Sequence, residues 1–397
     1  MLVTHKLGNC PNCNGKNCFG NVSIYSDRIL QGCEQCRYET TVFLPKIQKK
    51  IIYLDQFFFS HAFKGGDKRF LPAIERIKRM AHLQLLVAPY SSIHEDETHQ
   101  WNGYKDKTHD QLMEFIKATA YGAEFEKAYG VERTQITKAW RAFLETKSTE
   151  YVFETRDAIK GKFNEWNDYF RVDVGSHMLN VKLKRTLKTQ AVQELVKVFD
   201  EWQISTQTFE QDVSLEILDA GKNYMDSYLT MLNRISQGDF NAVIDSPIAA
   251  SVVEHMLHWL PDEQPFDDKM HRCIEFFLSE YFANVPNLRL TARMFATLKD
   301  MVKRGAYANR EKALGRLHGV FEDIKLIAIY APYCEAIFID KAMAELIRQP
   351  TIALEQIYGI KVFSLNNLDD FLAWLDDLET GMSDEHKAAV DTAYPSS

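Results

Sequence analysis

Long hydrophobic runs are missing from this sequence of 397 residues. No uninterrupted apolar stretch approaches the roughly 20 residues that a membrane-spanning helix needs. The segment that begins at Met1 also lacks the apolar core of a signal peptide. We therefore expect a cytoplasmic protein that does not enter the membrane.

An excess of positive charge is also missing. Lys and Arg number 47 against 55 Asp and Glu, and the net charge is -8. No global basic field therefore indicates nucleic-acid binding. The balance weakens a nucleic-acid function without excluding it, because a local basic groove can coexist with an acidic total. Carboxylates that hold cations also add to the negative count.

Cysteines are few, and their distribution argues against a disulfide framework. Five of the seven lie within the first 36 residues, and disulfides would be unusual in a reducing compartment. Cys10 and Cys13 form one CxxC pair, and Cys33 and Cys36 form a second. Four thiolates give the closed tetrahedral shell of a structural Zn²⁺. The intervening and following short strands make this segment resemble a zinc ribbon, with Cys18 as a spare thiol that could replace one ligand.

Two short apolar runs that end on an acid indicate buried strands of a parallel sheet. Residues 51–54 are followed by Asp55, and residues 336–339 are followed by Asp340. Ligands of open parallel sheets bind outside the carboxyl ends of the strands. If the two strands are neighbours, the two acids meet there. The alternative for each acid alone is a helix N-cap, a common role for Asp at a strand-to-helix junction.

A third element follows a second apolar run, 83–88, and reads Ser91-x-x-His94-x-x-Glu97. Together with the Asp that ends the first strand and the Pro-Tyr-x-Glu…Asp-Lys element near the C-terminus, it resembles a PIN-like nuclease domain. That resemblance implies a group of acids at the carboxyl edge of a parallel sheet. The acids would hold Mg²⁺ or Mn²⁺ for the hydrolysis of phosphodiester bonds, and RNA is expected as the substrate before DNA.

By motif position the resemblance assigns five acids to the catalytic set, namely Asp55, Glu97, Asp323, Glu335 and Asp340. All but Glu335 are expected as metal ligands, and Glu335 is expected in or near the shell. Glu95 and Asp96 are alternatives to Glu97, while Ser91 and His94 are expected to orient the acidic helix or to touch substrate. Two ions about 4 Å apart activate water for in-line attack on phosphorus, which would leave 5′-phosphate and 3′-hydroxyl ends.

Proline and glycine are sparse in the middle of the chain, where helical patterns follow one another without repeats. The expected fold class is therefore α/β: a PIN-like parallel-sheet domain that is interrupted by a large all-helical insertion and preceded by a small zinc ribbon. The predicted bounds are 1–45 for the ribbon, 50–104 and 317–380 for the two halves of the PIN-like domain, 105–316 for the insertion, and 381–397 for a mobile tail.

The insertion could cover the carboxylate edge, restrict access to it or dimerise. Its basic segments, 182–188 and 303–316, either steer phosphates or form solvated helix faces. An activator or partner protein and a homo-oligomer are left open. By analogy alone, a nuclease guarded by a lid invites a role as a toxin or antiviral effector.

Two other functions compete with a metal-dependent endonuclease. One is a catalytically inactive PIN-like scaffold that recruits partners. The other is a metal-independent ribonuclease of the HEPN type, because Arg171 and His177 have the Arg-x-x-x-x-x-His form of those proteins. Gly175 between them disturbs the helix that would present the pair.

Overall fold

The computed structural model describes residues 2–101, 103–166, 192–242, 247–317 and 319–395, with side chains left out for 247–250. Its N-terminal part is a four-stranded antiparallel sheet. The strands are β1 (His5–Gly8), β2 (Phe19–Tyr25), β3 (Arg28–Cys33) and β4 (Glu39–Phe43), in that spatial order. A Cβ at Gly20 would lie 1.9 Å from the carbonyl oxygen of His5, so β1 and β2 can approach this closely only with glycine there.

A second sheet of four parallel strands forms the centre of the molecule. Its strands are β5 (Lys50–Leu54), β6 (Leu86–Val87), β7 (Ala336–Phe338) and β8 (Lys361–Phe363), in the order β6-β5-β7-β8. The mixed α/β class with a parallel sheet is therefore confirmed. The strand predicted over 83–88 is shorter than expected, because the chain first turns through Gln84, whose φ of 60° is left-handed.

Seventeen α-helices lie in the described ranges, and none of them is both long and apolar enough to cross a membrane. In chain order they are α1 (Gln56–Lys64), α2 (Phe70–His82), α3 (Ser92–Gln100), α4 (His109–Thr119), α5 (Ala128–Leu144), α6 (Phe199–Ile204), α7 (Phe209–Ser236), α8 (Pro247–His258), α9 (Phe266–Phe277), α10 (Glu280–Ala283), α11 (Pro286–Lys303), α12 (Arg310–Arg316), α13 (Val320–Tyr330), α14 (Lys341–Ile347), α15 (Leu354–Tyr358), α16 (Leu368–Thr380) and α17 (Asp384–Ala393).

Both faces of the parallel sheet are covered, so its strands are apolar throughout. Alternate residues point to opposite faces. Ile52 and Leu54 pack with α1, α2, α4 and α16 on one side. Ile51 and Tyr53 pack with α5, α11 and α13 on the other. The result is a three-layer sandwich in which β5 and β7 are the two central strands.

The helical middle makes a further core of its own. Large side chains such as Trp140, Tyr224 and Phe276 come together from α5, α7, α8, α9 and α10. Because α4 and α11 belong to the layers on the sheet, this separate core is narrower than the predicted 105–316. Arg171 and His177 lie outside the described residues, as does the basic segment 182–188.

The C-terminal segment, predicted to be a mobile tail, instead ends in helix α17, which docks on the four-stranded sheet. The side-chain amide of Asn21 donates to the carbonyl oxygens of Thr392 (2.8 Å) and Ala393 (3.2 Å). Ile24 and Ile29 pack in one apolar cluster with Val390 and Trp166. Burial of this apolar surface stabilises the segment as a docked helix. The sequence of α17 is too short to predict this contact.

Candidate metal centres

Two groups of side chains have the chemistry to hold metal ions, and the first is the four-cysteine group. The Sγ atoms of Cys10, Cys13, Cys33 and Cys36 all lie within 4.8 Å of one another. Those of Cys10 and Cys36 are 3.6 Å apart, and those of Cys13 and Cys33 are 3.8 Å apart. A group of this composition and compactness can bind a metal such as zinc, as its two CxxC pairs predict.

Backbone amides stabilise the thiolates of this group. The N–H of Asn12 donates to Cys10 Sγ at 3.4 Å, and the N–H groups of Gln35 and Cys36 donate to Cys33 Sγ at 3.3 and 3.5 Å. The hydrogen bond from the Cys36 backbone lowers the pKa of the Cys33 thiol to about 6. Four protein ligands leave no open position, so a zinc ion here would be structural.

Cys18 lies beside the group without joining it. Its Sγ is 3.4 Å from Cys33 Sγ, but it donates to the carbonyl oxygen of Gly15 at 3.2 Å. A Cβ at Gly15 would lie 2.7 Å from that sulfur, so glycine leaves the room that the thiol occupies. The structure therefore presents Cys18 as a neighbour of the ligands.

The second group of side chains lies at the carboxyl edge of the parallel sheet. Strands β5 and β7 are hydrogen-bonded neighbours, so Asp55 and Asp340, which follow them, lie side by side. Each acid also caps a helix: Asp55 Oδ1 accepts from Gln56 N at 2.8 Å, and Asp340 Oδ1 accepts from Met343 N at 2.8 Å. The alternative role predicted for Asp55 and Asp340, that of helix N-caps, is therefore confirmed. In each cap the Oδ1 atom accepts the hydrogen bond.

Helix α3 is attached to this edge by His94. Ser91 caps the helix and donates its backbone N–H to His94 Nδ1 at 2.9 Å. The opposite ring nitrogen, Nε2, donates to the carbonyl oxygen of Leu54 at 2.9 Å, one residue before Asp55. Because residues three apart share one face of a helix, Glu97 lies on the His94 side of α3, and its charge contributes to the raised pKa of Asp55. Ser91 and His94 therefore position the acidic helix.

Asp323 reaches the same edge from helix α13. It lines a narrow crevice with Tyr53, Asp55 and Met343. A Cβ at Gly319 would lie only 3.0 Å from Asp323 Oδ2, so the glycine leaves space for this carboxylate. Tyr53 and Gly319 are residues that motif reasoning did not assign. The one sequence signal for Tyr53 is its place in the apolar strand β5, which predicts a buried side chain.

The electrostatics of the edge show that the acids are close enough to repel one another. Burial raises the pKa of Asp55 to about 7, and the charges of Glu97 and Asp340 add to that increase. The pKa of Tyr53 is likewise raised, first by burial and then by Asp55, Asp323 and Glu97. Carboxylate oxygens are ligands that Mg²⁺ prefers, and a divalent cation would offset this negative charge.

The carboxylates are nevertheless more loosely arranged than the thiolates. Within the described part of the chain, the four cysteines form the only group of three or more ligand atoms within 4.8 Å of one another. Mg²⁺ usually keeps several waters and takes few carboxylates together with substrate phosphate. An open arrangement of acids is therefore compatible with such an ion.

Glu335 does not reach this edge, which corrects the predicted set of acids. It precedes β7, and its Oε2 accepts from Ile51 N at 2.6 Å while Oε1 lies 3.6 Å from Lys50 Nζ. These contacts place Glu335 at the amino end of β5 and β7, the opposite edge of the sheet. The motif position failed because a strand of three residues separates Glu335 from Asp340.

Two further expectations can be compared with the structure. Glu95, an alternative to Glu97, is buried, and its Oε1 lies 3.8 Å from Lys117 Nζ. The basic residues of 303–316 are largely paired: Lys303 contacts Asp212, Arg304 contacts Asp300 and Arg310 contacts Asp200. Such ion pairs favour structural helix faces over a phosphate-steering patch.

Comparisons with family models, curated proteins and solved structures found no match to this chain. The functional assignment therefore depends on the geometry and chemistry of the cysteine group and of the acids at the carboxyl edge of the sheet.

Proposed function

We propose that this protein is a metal-dependent endonuclease with a structural zinc ribbon and a PIN-like catalytic domain. The observation that carries the proposal is the pairing of β5 with β7, which brings Asp55 and Asp340 together at the carboxyl edge of the sheet. The raised pKa of Asp55, to about 7, agrees with it, because burial and the neighbouring charges of Glu97 and Asp340 cause the increase. Ligands of open parallel sheets bind at this edge, and a group of acids with a perturbed pKa there is a candidate site for a cation.

In this proposal Asp55, Glu97, Asp323 and Asp340 hold the ions. Mg²⁺ or Mn²⁺ bound there would supply an activated water and stabilise the leaving oxygen of an in-line displacement. The protein's part is to present the acids. The caps of α1 and α14 fix Asp55 and Asp340, and the His94–Leu54 hydrogen bond fixes the helix that carries Glu97. Tyr53 lines the same crevice as Asp55 and Asp323.

RNA is the proposed substrate class, in line with the resemblance to PIN-like nucleases. A role as a toxin or antiviral effector remains a proposal by analogy.

The experiment compares the purified protein with the variants Asp55→Asn and Asp340→Asn on labelled RNA and DNA. Reactions contain Mn²⁺, Mg²⁺ or EDTA, and the zinc content is measured in each. We expect cleavage of RNA that needs the divalent ion and falls at least about a hundredfold in both variants, as for loss of a group acting in the transition state. Glu335→Gln is the matched control. It changes a carboxylate at the opposite edge and keeps an oxygen for Ile51 N, so it should retain activity.

Cleavage that survives EDTA while zinc stays bound, or that persists in both Asn variants, would contradict the proposal. The double variant Arg171→Ala/His177→Ala then tests the HEPN-type alternative. A protein that cleaves nothing under any of these conditions would favour the inactive scaffold.

A further inference from the structure

The segment that precedes β5 differs in charge from the rest of the molecule. Residues 1–49 contain six Lys and Arg, of which only Lys49 is buried, but three Asp and Glu, in a chain whose net charge is -8. The ribbon is thus a basic module on an acidic protein, and opposite charge draws polyanions to it. Three of its cations, Lys16, Arg37 and Lys46, are exposed and have no ion pair among the described residues.

An exposed row of Tyr25, Arg28 and Phe43 crosses this face. Tyr25 pairs with Arg28 across β2 and β3, and Arg28 pairs with Phe43 across β3 and β4. Directly opposed residues of antiparallel strands point to the same side. The neighbouring residues Ile24 and Ile29 point the other way, into the cluster with α17. One face of the ribbon is therefore covered by the body, and the other presents the row.

Both aromatic rings of this row are exposed. Phe43 is 74% exposed and Tyr25 is 47% exposed, and the Arg28 guanidinium lies 5.8 Å from the Tyr25 ring centroid. Two exposed rings with an arginine between them form a platform on which unpaired bases can stack, while the cation contacts phosphate. The combination of rings and local positive charge fits a single strand better than an apolar protein surface.

The row lies on a module that joins the sheet away from the carboxylates. The ribbon runs into Lys50, the first residue of β5, whereas Asp55 follows the last residue of that strand. A nucleic acid bound to the row would therefore be held apart from the reacting phosphate. Such an anchor changes the affinity for substrate without changing the chemical step.

We infer that the Tyr25–Arg28–Phe43 row is a single-stranded RNA anchor that holds substrate outside the carboxylate site. The inference deepens the proposed nuclease function and rests on it for the identity of the ligand as substrate. Binding itself can be measured without cleavage.

The test measures binding of a fluorescent unstructured RNA by anisotropy, with the full-length Asp55→Asn/Asp340→Asn protein so that no cleavage interferes. Adding Tyr25→Ala and Phe43→Ala should raise Kd at least about tenfold, as expected when stacking is lost for two bases. Arg28→Ala should reduce the slope of log K against log salt by about 0.7, the value for one phosphate of a single strand. The matched control is Tyr129→Ala/Phe240→Ala, whose rings are 45% and 72% exposed elsewhere. It should leave Kd within about twofold.

Equal Kd values for the two pairs of variants, or no RNA binding by the parent protein at low salt, would overturn the inference. Zinc content and circular dichroism show whether each variant keeps its fold. If the double variant loses zinc, Arg28→Glu takes its place and should weaken binding more than Arg28→Ala does. In a cleaving protein, Tyr25→Ala/Phe43→Ala should raise KM and leave kcat unchanged. RNA binding that depends on the row in a protein that never cleaves would retain the anchor and reject the nuclease.

Discussion

Asp55 has two opposing effects on the stability of the fold. Its Oδ1 caps α1, which favours the fold, but burial and the charges of Glu97 and Asp340 disfavour its ionised form. The pKa is raised from 3.8 to about 7, so the folded state binds the proton more tightly than the unfolded chain. The metal-free protein therefore loses stability as the pH rises from about 4 towards 7.

The first prediction follows for Asp55→Asn. Asparagine also caps helices well and carries no charge. At pH 8 without divalent ions, the variant should therefore have a larger free energy of unfolding than the wild type. The expected gain is on the order of 2 kcal/mol and should shrink towards pH 5. Urea unfolding at both pH values measures it. Asp376→Asn, which removes an acid paired with Arg76 on the surface, should show no such gain.

The second prediction concerns the neutral state of His94. Nδ1 accepts from Ser91 N, so Nε2 carries the proton that it donates to Leu54. Burial lowers the pKa of His94 from 6.5 to about 4. Protonation of Nδ1 would place its N–H against the N–H of Ser91. The folded state therefore disfavours the charged ring, and stability that is present above pH 6.5 is lost as the pH falls towards 4.

We expect the titration of His94 to lower the free energy of unfolding by about 2 kcal/mol between pH 7 and pH 5. The loss is about 1.4 kcal/mol for each pH unit below 6.5. Comparing urea unfolding of the wild type and His94→Gln isolates the effect. The variant is less stable at pH 7 but should lack the His94 part of the pH dependence. Identical slopes for the two proteins would show that another group titrates.

At the scale of elements, we expect the ribbon to depend both on a metal held by its cysteines and on α17. Its cysteine cluster holds one end of the sheet, while Ile24 and Ile29 pack on α17 and Trp166 at the other. A module of this size has too small a core of its own, so metal binding supplies much of its folding free energy.

The third prediction uses Cys18 as the control for a ligand. Cys33→Ser should lose zinc and open the ribbon, which exposes residues 1–50 and α17 to limited proteolysis. Cys18→Ser should keep both zinc and protection, because the thiol of Cys18 bonds Gly15 in the structure. Zinc analysis together with proteolysis measures both effects. Equal loss of zinc in the two variants would make Cys18 a ligand.

At the scale of the whole molecule, a divalent ion should act as a ligand of the native state. With Mn²⁺ at about a hundred times its Kd, the unfolding free energy should rise by about 2.7 kcal/mol. Asp55 is partly protonated near neutral pH, and ion binding must displace that proton. The fourth prediction is therefore that the apparent Mn²⁺ affinity increases from pH 6 to pH 8. Thermal unfolding in a Mn²⁺ titration checks it, and Asp55→Asn/Asp340→Asn should show neither effect.

Short-range patterns predicted the local elements well. The strand before Asp55, the strand before Asp340 and the two CxxC knuckles all lie where spacing and burial indicate them. Motif position gave the wrong place for Glu335. A shift of a few residues along a strand as short as β7 moves a side chain from the carboxyl edge of the sheet to the amino edge. The docking of α17 could not be predicted, since its partner Asn21 lies 371 residues away.

The amino-acid sequence by itself determined which residues can bind metal and which strands end on an acid, because thiolate spacing and apolar runs are local properties. Tertiary structure decided which acids meet. The pairing of β5 with β7 brings Asp55 beside Asp340 across some 280 residues of intervening chain. It also decided that Glu335 lies at the far edge, that His94 holds α3 in place, and that one face of the ribbon is buried against the body. These outcomes depend on long-range packing of the sheet layers, for which no single segment carries a pattern.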